Sequence, residues 1–231
     1  MRTGLVASPV PTELGLVNFR EPALGLANLL VRCDKDLGGF STADLSVVES
    51  DSTSNHAFGR FKGDLSLDLP ADRPDIIRLG YAMFRTKDIE PKLFGLASSE
   101  YWNWEPYNQM VLRVRGDRRK YFINVQAESA YPTDLYQHRL FLKTPGQWEE
   151  VTVPLGNFIL TNGGIIQQQQ AMELSQVKSV GIGLIDRQYG PYQLDIDWIK
   201  VVTGDGPLKP AKPTKPSSAD LTPGKRLSID D

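Results

Sequence analysis

Apolar and polar residues alternate along most of this chain in short runs, and glycine or proline interrupts the runs at regular intervals. A period-two pattern between turn signals is that of strands in an all-β sandwich or barrel. The runs are SVVESD, HAFGRFKGDLSLDLP, DIIRLGYAMFRT, MVLRVRG, YFINVQAES, LYQHRLFLK, WEEVTVPL, VKSVGIGLID and YQLDIDWIKVV. LGGFS, KTPGQ, TNGG and YGP fall between them, with glycine supplying positive φ and proline a fixed φ.

Successive side chains of a strand face opposite ways. In MVLRVR the alternation sends Met110, Leu112 and Val114 to one side and Val111, Arg113 and Arg115 to the other. In YFINVQ, Tyr121, Ile123 and Val125 take the core, while Phe122, Asn124 and Gln126 point away. QLDIDWI sets Leu194, Ile196 and Trp198 against Asp195, Asp197 and Ile199.

Helix signals are few. EPALGLANLL, Glu21 to Leu30, has an early proline and predicts a short helix packed outside the sheet. IIQQQQAMELSQVK, Ile165 to Lys178, reads either as one or two helical turns or as a loop. The pattern thus divides the chain into an N-terminal extension over 1–33, partly ordered, a β domain over 34–202, and a tail over 203–231. The tail holds five of the sixteen prolines, several lysines and no aromatic residue. It lacks the apolar surface to offset the entropy of ordering and is expected to be flexible.

Composition narrows the function. The chain has 231 residues, 40% hydrophobic and 23% charged, with a formal net charge of −2. That balance suits a globular domain and argues against nucleic acid as a partner, since such binders are usually basic overall. The single cysteine, Cys33, leaves no intrachain disulfide or cysteine-rich zinc site. MRTGLVASPVPTELG has no long apolar stretch, so it reads as neither a signal peptide nor a transit peptide.

Catalysis finds little to work with. His56 and His138 occupy unrelated strand contexts, and no Gly-x-Ser-x-Gly elbow, P-loop or dinucleotide fingerprint occurs. No pair of acidic residues stands out as the two carboxylates a glycosidase needs. Asp34, Asp36 and Asp195 are candidates for a structural calcium, but three scattered carboxylates fall short of the six to eight oxygens such an ion takes. No cofactor is expected.

One stretch demands an account. From Arg113 to Lys120, five basic residues occupy eight positions. If the strands share a sheet, its outer face carries Arg113, Arg115, Asn124, Gln126, Asp195 and Asp197. Two readings stay open. The arginines pair with the aspartates across strands, each pair worth about 0.2–1 kcal/mol, or the face is concave and binds a ligand. The RGD at Arg115 to Asp117 reads as a strand end and turn rather than an adhesion signal.

These residues also resemble a known family. LRVRGDRRKYFINV is similar to the Leu-Arg-Val-Arg-Gly-Asp-Gly-Arg stretch, and the strand after it, of the complex I intermediate-associated protein family. WEPYN, from Trp104 to Asn108, is similar to that family's Trp-x-x-aromatic-Asn/Asp lead-in. DKDLGGFS resembles its Gly-Gly-x-Ser turn, GYAMFRT its Gly-aromatic strand, and VGIGLID and YQLDIDWIKV its closing strands. In order, these matches run from about Asp34 to Val202. One position departs: the motif's second glycine is Arg118 here, so the turn must be built without it.

The resemblance implies a jelly-roll β-sandwich of the galactose-binding-domain type. It implies a non-catalytic assembly factor for mitochondrial respiratory complex I, in the matrix and peripheral to the inner membrane at most. Expected partners are membrane-arm assembly intermediates and other assembly factors, including an acyl-CoA-dehydrogenase-like one in animals. The alternative is a carbohydrate-binding module using the polar sheet face. For partner binding, Trp102 beside the basic turn of Arg118, Arg119 and Lys120 has the composition of a hot spot, an aromatic anchor with a charged rim.

Overall fold

The computed structural model describes residues 11–21, 25–89 and 101–205. It shows thirteen strands in two antiparallel sheets. The six-stranded sheet contains β1 (Glu13–Asn18), β3 (Asp44–Val48), β4 (Phe58–Leu65), β6 (Gln109–Gly116), β9 (Glu149–Pro154) and β13 (Gly190–Val202). Its order is β3-β4-β13-β6-β9, with β1 also paired to β13. The seven-stranded sheet contains β2 (Leu29–Cys33), β5 (Ala82–Thr86), β7 (Tyr121–Ala127), β8 (Asp134–Arg139), β10 (Ile159–Asn162), β11 (Ile165–Ile166) and β12 (Val177–Leu184), in the order β11-β10-β8-β7-β12-β5-β2.

The alternation read from the sequence places the core between the sheets. Met110, Leu112 and Val114 of β6 and Tyr121, Ile123 and Val125 of β7 are fully buried. They meet Phe61, Phe84, Ile182, Leu194 and Ile196, all equally inaccessible. Fully burying one such side chain contributes about 1.5–3 kcal/mol.

β13 organises the six-stranded sheet. Its first half pairs with β4, ending at Ile196↔Gly59. Its second half pairs with β1, from Asn18↔Trp198 onward. Where the partner changes, the ladder to β6 is shifted by a bulge at Asp197, between Ile196↔Val114 and Trp198↔Arg113. A bulge inserts one residue and resets the side-chain phase. Ile199 therefore enters the core and Trp198 is left half-buried, the reverse of the assignment that strict alternation predicts.

The domain also starts earlier than the pattern suggested. β1 and β2 lie before Asp34, one in each sheet, so much of the supposed extension is part of the sandwich. Within Glu21 to Leu30, residues 22–24 lie outside the described residues. Gly25 N–H donates to the Glu21 carbonyl at 3.1 Å, and Leu29 and Leu30 belong to β2 rather than to a helix. Ile165 to Lys178 forms no helix. After β11 it runs as a loop in which the Gln169 side chain accepts from Leu160 N–H at 2.9 Å and donates to Leu160 C=O at 3.1 Å, standing in for a strand partner. Of the expected tail, residues 206–231 lie outside the described residues.

Candidate functional site

The expected polar face divides between the two sheets. Arg113 and Arg115 on β6 and Asp195 and Asp197 on β13 share the outer face of the six-stranded sheet. Asn124 and Gln126 belong to β7 and face outward from the other sheet.

On the six-stranded sheet the charges satisfy one another. Asp195, fully buried, accepts from Arg60 Nε at 2.8 Å and Nη2 at 3.0 Å, and from Arg115 Nη2 at 2.6 Å. Arg115 also reaches Asp51 at 2.6 Å and bonds the Thr53 hydroxyl. Asp197, also fully buried, accepts two bonds from Arg20 at 2.8 and 2.7 Å, lies 3.1 Å from His56 Nε2, and lies 3.0 Å from Arg113 Nε. The Arg115 guanidinium stands over both the Phe58 ring, at 5.2 Å, and the Trp148 ring, at 4.9 Å. Counting Glu150, 3.8 Å from Arg113, four carboxylates face four guanidiniums, so the cluster offers no excess charge to a ligand.

Burial alone would raise the Asp197 carboxyl, but the hydrogen bonds from Arg20 and His56 outweigh it and hold the group below its ordinary value. Asp51 is likewise held below its ordinary value, chiefly by its bond from Arg115.

The basic turn is only partly a free surface. Asp117 Oδ1 accepts from Arg119 N–H at 2.8 Å, and Asp117 Oδ2 accepts from Gln193 N–H at 2.7 Å. This side-chain turn replaces a positive-φ residue, and Arg118 keeps negative φ; among the described residues Arg187 is the one non-glycine with positive φ. Arg119 points inward. It binds Asp186 through two bonds at 2.7 and 2.9 Å and donates to the carbonyls of Gln188, Gly190 and Pro191. Arg118 is exposed and Lys120 half-exposed.

Trp102 does not join that turn. It bridges Val177 at the start of β12 and stacks on the buried Trp104, with ring centroids 6.3 Å apart. The register Val177↔Ala127 and Leu184↔Tyr121 places Trp102 at the far end of β7 from Lys120. At a strand rise of about 3.3 Å per residue the two are on the order of 20 Å apart. An anchor beside a charged rim is therefore not what these residues form.

The outer face of the seven-stranded sheet is the other polar surface. Gln137 donates to Asn124 at 2.8 Å and accepts from Thr161 at 2.9 Å, and Ser179 donates to Gln126 at 3.4 Å. Next to this amide row, β12 turns Gly181 and Gly183 outward, opposite Asn124 and Phe122. The sequence reading did not single out Gln137, Gly181 or Gly183. The two glycines in VGIGLID, at alternate positions of a strand, are the signal that marks a close approach of neighbouring groups, and both are buried.

The remaining candidates are structural. Asp34 is fully buried and accepts from Ser41 N–H and hydroxyl at 2.9 and 2.8 Å and from Gly80 N–H at 2.7 Å. A side chain at Gly39 would lie 2.5 Å from the Asp34 carboxyl, so the LGGFS turn folds around that acid. Asp195 is equally committed to arginines, and Asp36 pairs with Arg32 at 3.5 Å. Among the described residues, no three His, Cys, Asp or Glu are grouped to hold a metal ion. His138 is packed against Phe158 at 5.6 Å, and burial lowers the pKa of its ring.

Comparison with known proteins brings in two groups. The profile of the family described as complex I intermediate-associated protein 30 matches residues 17–196. The mitochondrial complex I intermediate-associated protein 30 of Neurospora crassa is 40% identical over 198 residues, 78% of this chain and 70% of that protein. Those of Drosophila melanogaster and Mus musculus are 31% and 30% identical, covering 84% and 80% of this chain. The chain spans 64% and 55% of their respective lengths. Among solved structures, the family 11 carbohydrate-binding module of the Clostridium thermocellum cellulase Lic26A-Cel5E superposes with a TM-score of 0.55 at 13% identity, over 85% of this chain and 97% of the module. The same family's module in complex with a β-1,3-1,4-mixed-linked tetrasaccharide gives 0.54 at 12% identity, over 83% and 96%. At such identities the likeness is one of fold: a β-sandwich.

Proposed function

This chain belongs to the complex I intermediate-associated protein 30 family, and from that premise we propose that it is a non-catalytic assembly factor for mitochondrial respiratory complex I. It holds assembly intermediates and fellow assembly factors through exposed surface, in the mitochondrial matrix and in association with the inner membrane. The observation that carries this reading is the family match over 17–196, which spans nearly all of the sandwich, from β1 into β13. The geometry supports it in one respect. The charged cluster on the six-stranded sheet is internally neutralised and built into the fold, so binding falls to Trp102, Arg118, Lys120 and the loops around them, with Arg119 holding the turn in place. Recovery of the tagged chain from mitochondria at native level, followed by mass spectrometry, is expected to bring down complex I subunits. Recovery without them overturns the reading.

A second reading has its own observation. The hydrogen-bonded amides Gln137 and Asn124, beside Gly181, Gly183 and the half-exposed Phe122, are chemistry suited to sugar hydroxyls and a sugar face. As a carbohydrate-binding module the domain would be stabilised by its ligand through native-state binding. A broad panel of soluble glycans that leaves the melting temperature unmoved sinks this reading.

A further inference from the structure

Six of the eleven large apolar side chains left exposed among the described residues lie on three loops at one end of the sandwich. They are Leu37 and Phe40 between β2 and β3, Leu69 and Ile77 between β4 and β5, and Ile185 and Tyr189 between β12 and β13, each 45–87% exposed. The register Cys33↔Ala82, Ala82↔Leu184 and Leu184↔Tyr121 brings these loops and the β6–β7 turn to the same end. Glu13 and Val202 pair at the opposite end, beside Gln109.

The loops are tied to one another. Tyr189 donates its hydroxyl to Asp68 at 2.9 Å, Gly80 donates to Asp34 at 2.7 Å, and Arg119 clamps the carbonyls of Gln188, Gly190 and Pro191. The apolar tips thus stand on ordered backbone and project outward.

Four cations stand among the tips. Lys35, Arg78, Arg118 and Arg187 are exposed, and none has an ion-pair partner among the described residues. Of the acids of these loops and the β6–β7 turn, Asp186, Asp36 and Asp75 are ion-paired, to Arg119, Arg32 and Arg73, whereas Asp117, Asp68 and the buried Asp34 accept hydrogen bonds from backbone N–H groups and hydroxyls and keep their charge. Asp72 is left over.

We propose that this end docks on an anionic lipid bilayer, the six tips entering the headgroup–acyl boundary and the cations meeting lipid phosphates. Interfacial binding grows with buried apolar area plus attraction to anionic lipid, and ring side chains with polar tips such as tyrosine favour that depth. A protein hot spot would instead gather its anchors in one packed, central pocket, whereas these project from separate loops. No described helix is long and apolar enough to cross a membrane, so attachment by loops is of the surface kind. The inference extends the inner-membrane association proposed above and names the surface and the lipid class.

The test is co-sedimentation of the full chain with vesicles of phosphatidylcholine alone and of phosphatidylcholine with phosphatidylglycerol in equal parts. The protein should pellet with the anionic vesicles and stay in solution with the neutral ones. Arg118→Gln with Arg187→Gln should weaken partition by about fivefold per cation. Phe40→Ser with Leu69→Ser should weaken it at any salt concentration, while Tyr131→Ser with Ile165→Ser, away from these loops, should not, with circular dichroism confirming the fold of each. A native chain that ignores anionic vesicles, or loop variants that bind like it, overturns the proposal. So does loss of protein capture by the loop variants with no vesicle binding by the native chain, which would make this end a protein interface. Failure of vesicle binding with complex I subunits still recovered would leave the assembly reading standing.

Discussion

Arg119 holds Asp186 inside the protein. The guanidinium Nε and Nη2 meet the two carboxylate oxygens at 2.7 and 2.9 Å, with side chains 10% and 0% exposed. Burial alone would raise the Asp186 carboxyl, but Arg119 and the backbone N–H groups of Lys120 and Gln188 more than offset this and keep it below its ordinary value. A residue that looks like part of a solvated basic turn is thus the clasp between β6–β7 and β12–β13.

Arg119→Ala should therefore cost about 3 kcal/mol, because it strands a buried carboxylate, which is on the order of 10 °C in Tm for a domain of this size. Arg118→Ala, one residue earlier and exposed, should change stability by no more than about 0.5 kcal/mol. Equal Tm values for the two variants would refute the clasp.

The charged sheet face gives a second contrast. Arg115 bridges Asp51 and Asp195 and is 10% exposed, while Arg113 is 33% exposed and Asp197 retains Arg20 and His56 without it. Arg115→Ala should destabilise more than Arg113→Ala. In a double-mutant cycle with Asp195→Asn, Arg115 should show a coupling of about 1–3 kcal/mol. Chemical denaturation of the four proteins measures it, and no coupling would mean the pair is incidental.

Acidification should act in two steps. His138 is held neutral by burial, its folded pKa below that of the unfolded chain. Its unfolded form therefore takes up the proton first, and stability declines as pH falls below about 6.5. Asp186 and Asp197 have depressed folded values. Their contribution is complete above the unfolded value of about 3.9 and is lost as pH falls through the folded ones. Tm against pH should bend gently, then steeply, and His138→Gln should remove the first bend alone.

The two outward glycines of β12 should differ. A side-chain carbon at Gly181 would lie 2.1 Å from the Phe84 carbonyl oxygen and 2.7 Å from Arg85 Cα, both backbone, whereas at Gly183 it meets the Asn124 amide nitrogen at 2.8 Å. Gly181→Ala should cost about 1–3 kcal/mol as an overpacked site. Gly183→Ala should cost less, since the Asn124 side chain can turn away. Urea midpoints decide between them.

If Trp102 and Arg118 both serve partner capture, they do so separately. With no shared contacts and a separation on the order of 20 Å, the losses from Trp102→Ala and Arg118→Glu should add within about 0.5 kcal/mol. Dissociation rates of the single and double variants show whether they do.

The alternation of apolar residues was legible because it follows from one fact of strand geometry, that neighbouring side chains face opposite ways. It identified β6, β7, the inward faces and the arginines that meet aspartates. It missed β1, whose ELGLVN fell in the expected N-terminal extension and becomes a strand only by pairing with β13. It assigned Trp198 and Ile199 to the wrong faces, because the bulge at Asp197 arises where β13 changes partners from β4 to β1. The sequence by itself determined the β class and the two faces of each regular strand, since those depend on neighbours along the chain. The tertiary structure decided which strands share a sheet, that Asn124 parts from Arg113, that Trp102 parts from Arg118, and that Arg119 turns inward. Each of these depends on residues distant in sequence, and a charge shows its role only when the fold supplies or withholds its counterion.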